Sequence, residues 1–359
     1  MRENKKTRVV CGMSGGVDSA VAAHILKEEG YDVLGVFMKN WQDDGEGCSA
    51  AEDYEDVKSV CAAIGIPYYT VNFEKEYYDR VFKYFLDEYR RGRTPNPDVL
   101  CNAEIKFAAF LDYAKMMGAE HLATGHYART FGIDEKRLYK AVDAGKDQTY
   151  FLCMLSQAQL SSAMFPIGGM VKDEVRLVAG KLGLSVAEKK DSTGICFIGE
   201  RKFRDFLSGF IPAQPGEIRT PDGQVVGQHN GVIYYTLGQR RGLGIGGTEG
   251  STGERWFVVD KDVRKNVLYV EQGETDALFS KALVTAGMNY ITHRPHGSFE
   301  CCAKFRYRQP DQKVRITKRR GGELIEFEEK QRAVTPGQYA VLYMDDECLG
   351  GGVIDEVIF

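Results

Sequence analysis

A chain of 359 residues, 43% hydrophobic and 27% charged with 40 glycines and 10 prolines, has the composition of a soluble globular protein of two or three domains. No apolar run approaches the ~20 residues of a membrane span, and the stretch from Met1 to Thr7 holds no signal-peptide core, so a cytoplasmic protein with no membrane partner is expected. The net charge of −4 conceals two windows: seven acids and no base between Asp43 and Asp56, and ten bases against two acids over residues 281–320. A basic face on an acidic protein suits a phosphate backbone, and it equally suits a solvated strand.

Strand-like and helix-like segments alternate through the first 205 residues, the pattern of an α/β domain with a doubly wound parallel sheet. Strands are predicted at 8–13, 32–39, 68–72 and 121–125, and helices at 19–30, 54–64, 76–91 and 99–117. Beyond residue 205 the composition changes. Prolines and glycines punctuate short β-rich pieces, so a small central β-rich domain is expected over 206–279 and a C-terminal all-β barrel over 280–359.

The turn Ser14-Gly15-Gly16-Val17-Asp18-Ser19 follows an apolar strand and precedes a helix. Glycines there let the backbone close around an anion, and the helix offers unpaired N–H groups. No Gly-Lys-Ser/Thr follows, so it is not a Walker loop, and it lacks the dinucleotide G-x-G-x-x-G spacing. Asp18 supplies the hard oxygen that Mg²⁺ prefers.

The nine cysteines include no C-x-x-C pair, which excludes a disulfide framework and a four-cysteine zinc site. Two lie where chemistry is plausible. Asp98 reads as an N-cap, which puts Cys101 in the first helical turn, where the dipole stabilises a thiolate; a buried core thiol is the alternative. Cys196 lies in the Gly/Ser/Thr-rich run Ser192-Thr193-Gly194-Ile195-Cys196-Phe197-Ile198-Gly199, and read alone it fits a structural thiol equally well. The adjacent Cys301 and Cys302 fall in a strand and face opposite sides. Cys11, Cys48, Cys61, Cys153 and Cys348 read as structural.

The turn itself resembles the pyrophosphate-binding loop of the N-type ATP pyrophosphatases, which transfer AMP to an oxygen. Together with Gly12-Met13, Asn96-Pro97-Asp98, Cys101-Asn102, Ala123-Thr124-Gly125-His126-Tyr127, Lys146-Asp147-Gln148, the loop at 192–199 and Thr236-Leu237-Gly238-Gln239-Arg240-Arg241-Gly242-Leu243, it resembles the bacterial tRNA 2-thiouridylases.

The resemblance implies an adenine nucleotide α-hydrolase-like catalytic domain and an ATP-dependent tRNA-uridine 2-sulfurtransferase. ATP with Mg²⁺ would meet Gly12, Met13, Ser14, Gly15, Gly16, Val17, Asp18 and Ser19, with Met38 and Gly125 completing the adenosine contacts. The C2 oxygen of the wobble uridine (position 34) would be adenylated and then displaced by sulfur from a Cys196 persulfide. Cys101 would resolve that step to a Cys101–Cys196 disulfide, with Asp98 assisting proton transfer. Asn96, Pro97 and Asp98 would line the base pocket, and Lys146, Asp147, Gln148, Arg306, Tyr307 and Gln338 would touch RNA. His126 fits an RNA contact and a structural histidine equally. The implied partners are tRNAs for Glu, Gln and Lys and a sulfur donor, either a relay protein or a cysteine desulfurase; no iron–sulfur cluster is expected. The rival reading is another ATP pyrophosphatase that adenylates a small molecule.

Overall fold

The computed structural model describes residues 7–41, 49–191, 203–246 and 253–359. Its first sheet contains β1 (Arg8–Met13), β2 (Asp32–Lys39), β3 (Tyr68–Asn72), β4 (His121–Ala123) and, after a hairpin of β5 (Ala128–Phe131) and β6 (Arg137–Lys140), the short β7 (Ala163–Met164). The order is β3-β2-β1-β4-β7 and every pairing is parallel. The central strands β1 and β2 are buried on both faces, whereas the edge strand β3 is largely exposed. In β1, Val9, Cys11 and Met13 join the core under α1 (Val17–Glu28) and α2 (Ser49–Ile64), while Val10 points into the opposite core with Phe107 and Phe110. Strand order reverses between β1 and β4, so the ligand crevice of this architecture opens at the carboxyl ends of those two strands.

The predicted helices are present, each beginning a few residues earlier than expected. The second pair run over 74–90 and 97–116, and each contains a π-type stretch, Tyr78–Phe82 in one and Cys101–Ala109 in the other. Helix Lys172–Lys181, which the sequence pattern did not single out, packs on α1 through Val175 and Ala179.

A second sheet has the order β10-β11-β8-β9, from β8 (Gly216–Arg219), β9 (Val225–His229), β10 (Trp256–Asp262) and β11 (Val267–Gln272). The C-terminal strands are β12 (Phe279–Tyr290), β13 (Phe299–Lys304), β14 (Gln312–Arg319), β15 (Gly322–Arg332), β16 (Tyr339–Met344) and β17 (Glu347–Ile358). They close into an antiparallel barrel through the β12–β17 pairing. The hairpin β5–β6 extends this barrel sheet: Glu347 and Cys348 of β17 pair with Tyr139 and Leu138 of β6.

The basic window at 281–320 stops just before β15, and β15 changes its meaning. Exposed Arg315 of β14 registers with exposed Glu326 of β15, and Lys313 meets Glu328 at 3.5 Å. Cross-strand acids therefore interrupt the basic face that the linear count suggested.

Candidate active site

The glycine turn closes the amino end of α1. Gly16 is the N-cap and no side chain caps the helix, so first-turn N–H groups remain for an anion. Ser19 Oγ accepts from Ser14 N at 3.2 Å and donates to the Gly16 carbonyl at 3.1 Å, which locks the turn. Gly15 has φ +74°, and a Cβ there would lie 2.7 Å from the Asp53 backbone, so α2 packs directly on the loop. Lys189 fastens α2 from the far side, 2.6 Å from Asp53 and 2.5 Å from Asp56.

Three further elements converge here. A Cβ on Gly125, just past β4, would lie 2.7 Å from the Asp18 carbonyl carbon and the Ser19 nitrogen. A Cβ on Gly12 would lie 3.1 Å from the Phe110 ring, so helix 97–116 crosses the end of β1 at the turn. Met38, near the carboxyl end of β2, pairs with Val71 and packs on the same core. Asp18 Oδ1 accepts from the Tyr127 hydroxyl at 2.8 Å, and both carboxylate oxygens accept from the Lys172 ammonium at 2.8 Å. Burial first, and then the Asp18 charge, pushes the Tyr127 phenol up and keeps it a donor. Lys172 also reaches Asp191 at 2.7 Å, and Asp191 pairs with Lys146 at 2.6 Å and Arg176 at 3.2 Å.

Helix 97–116 starts differently from the expectation. Asn96, not Asp98, is the N-cap, and its side chain accepts from Asp98 N at 3.2 Å. Pro97 occupies the first helical position, where its missing N–H and fixed φ cost nothing, so the helix begins two residues sooner. Cys101 consequently lies beyond the first turn, at the start of the π-type stretch and 2% exposed, where the helix-end field has fallen off. Burial raises the Asp98 carboxyl above its ordinary range while Lys106 draws it back. Asn102 is buried; its Nδ2 donates to the Phe151 carbonyl at 3.1 Å, and its Oδ1 has no hydrogen-bond partner among the described residues.

The residues expected to face RNA are in several cases engaged inside the protein. His126 is 8% exposed, shares a 2.7 Å hydrogen bond with Thr124 and lies between Phe107 and Phe165. Asp147 is buried and accepts from Ala141 N and the Thr149 hydroxyl, and Gln148 Oε1 accepts from Tyr127 N at 2.9 Å. Arg306 is exposed, yet its Nη2 donates to the Ala333 carbonyl at 2.7 Å and the Leu237 carbonyl at 3.3 Å. The Tyr307 ring centre lies 4.4 Å from that of Phe151. Gln338 Nε2 donates to the Thr94 carbonyl at 2.7 Å, beside Asn96 and Pro97. Cys196 and its loop lie outside the described residues, as does Cys48.

Three family profiles match the chain in series. They are described as a tRNA methyl transferase HUP domain over residues 7–200, a tRNA methyl transferase PRC-barrel domain over 204–272 and an aminomethyltransferase beta-barrel domain over 280–354. The chain is 59% identical over 360 residues to the tRNA-specific 2-thiouridylase MnmA of Alkaliphilus oremlandii (strain OhILAs), covering 99% of this chain and 98% of that protein. It is 60% identical to the tRNA-specific 2-thiouridylase MnmA of Geobacillus thermodenitrificans (strain NG80-2), with 98% and 95% covered. The protein of that name from Listeria welshimeri is also 60% identical, with 99% and 96% covered.

The chain belongs to the tRNA-specific 2-thiouridylase family. Membership of the 2-thiouridylases accords with the resemblance carried by the turn at 14–19 and the motifs at 96–102, 123–127, 146–148, 192–199 and 236–243. Lys172, Asp191 and Tyr127 are the site residues that sequence reasoning gave no role. Tyr127 stood inside a quoted motif, while Lys172 lies in Val171-Lys172-Asp173-Glu174-Val175, a run with nothing to mark it before the fold brings it to Asp18. Lys106 is a further residue of this region, and Asp98 and His126 both feel its charge.

Proposed function

We propose that this enzyme thiolates C2 of the wobble uridine in tRNA, using ATP to activate the oxygen it replaces. One observation supports the reading: the helix that bears Asp98 and Cys101 also bears Phe110, whose ring lies against Gly12 at the end of β1, which ties the helix of the thiol to the nucleotide turn. The free N–H groups of α1 receive the phosphates, and Met38 and Gly125 border the adenosine. Mg²⁺ arriving with ATP would be held by Asp18 and phosphate oxygens, an arrangement suited to an ion that keeps few protein ligands, and it would neutralise phosphate charge.

Uridine must leave the anticodon stack to enter such a crevice. Its C2 oxygen attacks the α-phosphate and pyrophosphate departs. The terminal sulfur of a Cys196 persulfide then adds at C2, and AMP leaves with the oxygen. The Cys101 thiolate attacks the Cys196 sulfur, which releases the thiolated base and forms the Cys101–Cys196 disulfide. An external dithiol, itself oxidised to a disulfide, returns two electrons before the next turnover, and a sulfur donor protein reloads Cys196. Asp98, its carboxyl raised by burial, holds a proton near the base more readily than a solvated aspartate does. The substrates by family resemblance are the tRNAs for Glu, Gln and Lys.

The test combines ATP, unmodified tRNA and a desulfurase, with nucleoside mass analysis and pyrophosphate release as readouts. Cys101→Ser and Cys196→Ser are each expected to abolish 2-thiouridine while ATP binding persists. Turnover by the double variant would overturn the sulfur-transfer chemistry.

A further inference from the structure

Asn102 follows Cys101 and is 2% exposed, beneath the surface that a base would touch. Its Nδ2 donates to the Phe151 carbonyl at 3.1 Å, which fixes the amide so that Oδ1 faces the other way and can only accept. That oxygen has no donor among the described residues, and a buried polar atom calls for one. Asp98 stands four residues earlier on the same helix, a spacing that sets two side chains on one face, one above the other. The Asp98 carboxyl likewise accepts no hydrogen bond among the described residues; the helix cap is Asn96, which takes the Asp98 N–H.

Two acceptors on one face become partners when one of them holds a proton. An asparagine oxygen does not, whereas a carboxylic acid does, and its O–H can then donate to Asn102 Oδ1. Such a bond favours the neutral form of the acid. Burial already raises the Asp98 carboxyl in the same direction, with Lys106 drawing it back. The stretches packed on the first turns carry Tyr78, Asp79 and Arg80 and, from helix 149–152, Tyr150. Lys106, on Asp98's own helix, is the charge that reaches it among the described residues.

We propose that Asn102 is the positioning residue for proton transfer at the base: its amide oxygen receives the hydrogen bond of Asp98 while Asp98 carries the N3 proton of the uridine. The proposal rests on the thiolation reading above. As the uridine C2 oxygen bonds to the α-phosphate and pyrophosphate leaves, the N3–H bond breaks. Its electron pair forms the N3–C2 double bond, and the proton passes to the Asp98 carboxylate. Asn102 holds it there. When sulfur adds at C2, that pair returns to N3 and takes the proton back, so the thiolated base leaves neutral.

The test follows single-turnover pyrophosphate release from ATP with unmodified tRNA as a function of pH, in the full-length wild type, Asn102→Leu and Asn102→Asp. In the wild type the rate falls as pH falls through the Asp98 pKa, because the protonated acid cannot accept the N3 proton. Asn102→Leu removes the acceptor, so this acid limb is expected to move down by about one pH unit. Asn102→Asp sets a second carboxylate beside the first, and the limb is expected to move up. Both variants lose the bond to Phe151, so a merely structural role would lower both rates and leave the limb in place. A limb unmoved in both, or moved in one direction in both, would overturn the proposal. So would Asp98→Asn with the wild-type limb. A wild type that releases no pyrophosphate would instead remove the thiolation reading on which the proposal stands.

Discussion

A histidine ring hydrogen-bonded to Thr124 and enclosed by Phe107 and Phe165 can take a proton only by placing a charge in an apolar shell. Burial, and secondarily the Lys106 charge, holds the His126 pKa well below its ordinary value. The sign follows from linkage: below about pH 6.5 the unfolded chain binds a proton that the folded chain refuses, so stability falls as pH falls. His229, buried against the Asn266 carbonyl, is shifted in the same direction and adds to the effect. The melting temperature of His126→Leu is therefore expected to change less between pH 7.5 and 5.5 than that of the wild type, whatever its absolute value. An identical pH slope in a series of thermal melts would count against a neutral His126. The structural cysteines behave in kind: burial pushes the Cys11 thiol up to about 12 and that of Cys61 to about 11, which keeps them inert beside a site whose proposed chemistry uses two other cysteines.

At the scale of elements, the corner Thr94–Pro97 is a junction of all three sheets' territories. Thr94 N donates to the Pro336 carbonyl at 3.0 Å, its carbonyl accepts from Gln338, and its hydroxyl meets that of Thr236 at 3.3 Å. Arg93, one residue earlier, pairs with buried Glu88 at 2.8 Å and with Asp355 of β17 at 2.6 Å. Gly337 has φ +94°, and a Cβ there would lie 3.0 Å from the Thr94 backbone. Gly337→Val should thus displace the corner that caps helix 97–116, lowering kcat at least tenfold with ATP affinity nearly unchanged. Steady-state kinetics beside ATP titration will show it, and a normal kcat would mean the barrel loop does not position the corner.

The same junction shows what the sequence could reveal and what it could not. The parallel strands were legible because Val9, Val10, Leu34 and Val36 belong to local apolar runs bounded by glycine and polar residues. The turn at 14–19 was legible because its glycines and Asp18 are contiguous. By contrast, β5–β6 is a short hairpin whose partner is Glu347–Cys348, and no local pattern foretells that pairing. The cap at Asn96 was misassigned by two residues because Asn96 and Asp98 are both good caps, and Pro97 decided between them. Lys172 was missed because a buried lysine looks like any other in the chain until its acceptors assemble.

For the whole molecule, charge and cohesion meet at Arg306. The residue was expected to seek phosphate, and it is exposed, but its Nη2 ties Leu237 before β10 to Ala333 and Thr335 in the barrel. Arg306→Ala is predicted to lower the melting temperature by a few degrees, in line with about 1.5–3 kcal/mol for hydrogen bonds to a charged group. The slope of tRNA affinity against log salt should stay within error. A slope reduced by about one unit would instead assign Arg306 to a phosphate.

The hairpin on the barrel edge has a temporal consequence. Arg137 at the start of β6 and Glu347 at the start of β17, 3.1 Å apart in space, are 210 positions apart in the chain. During synthesis β6 emerges long before the strand it pairs with, so its backbone edge waits unpaired while the central sheet and most of the barrel are made. The edge is covered only when β17 has been made. Completion of the catalytic half therefore waits on synthesis of the barrel, and a chain terminated before β17 would bear an open strand beside its nucleotide site.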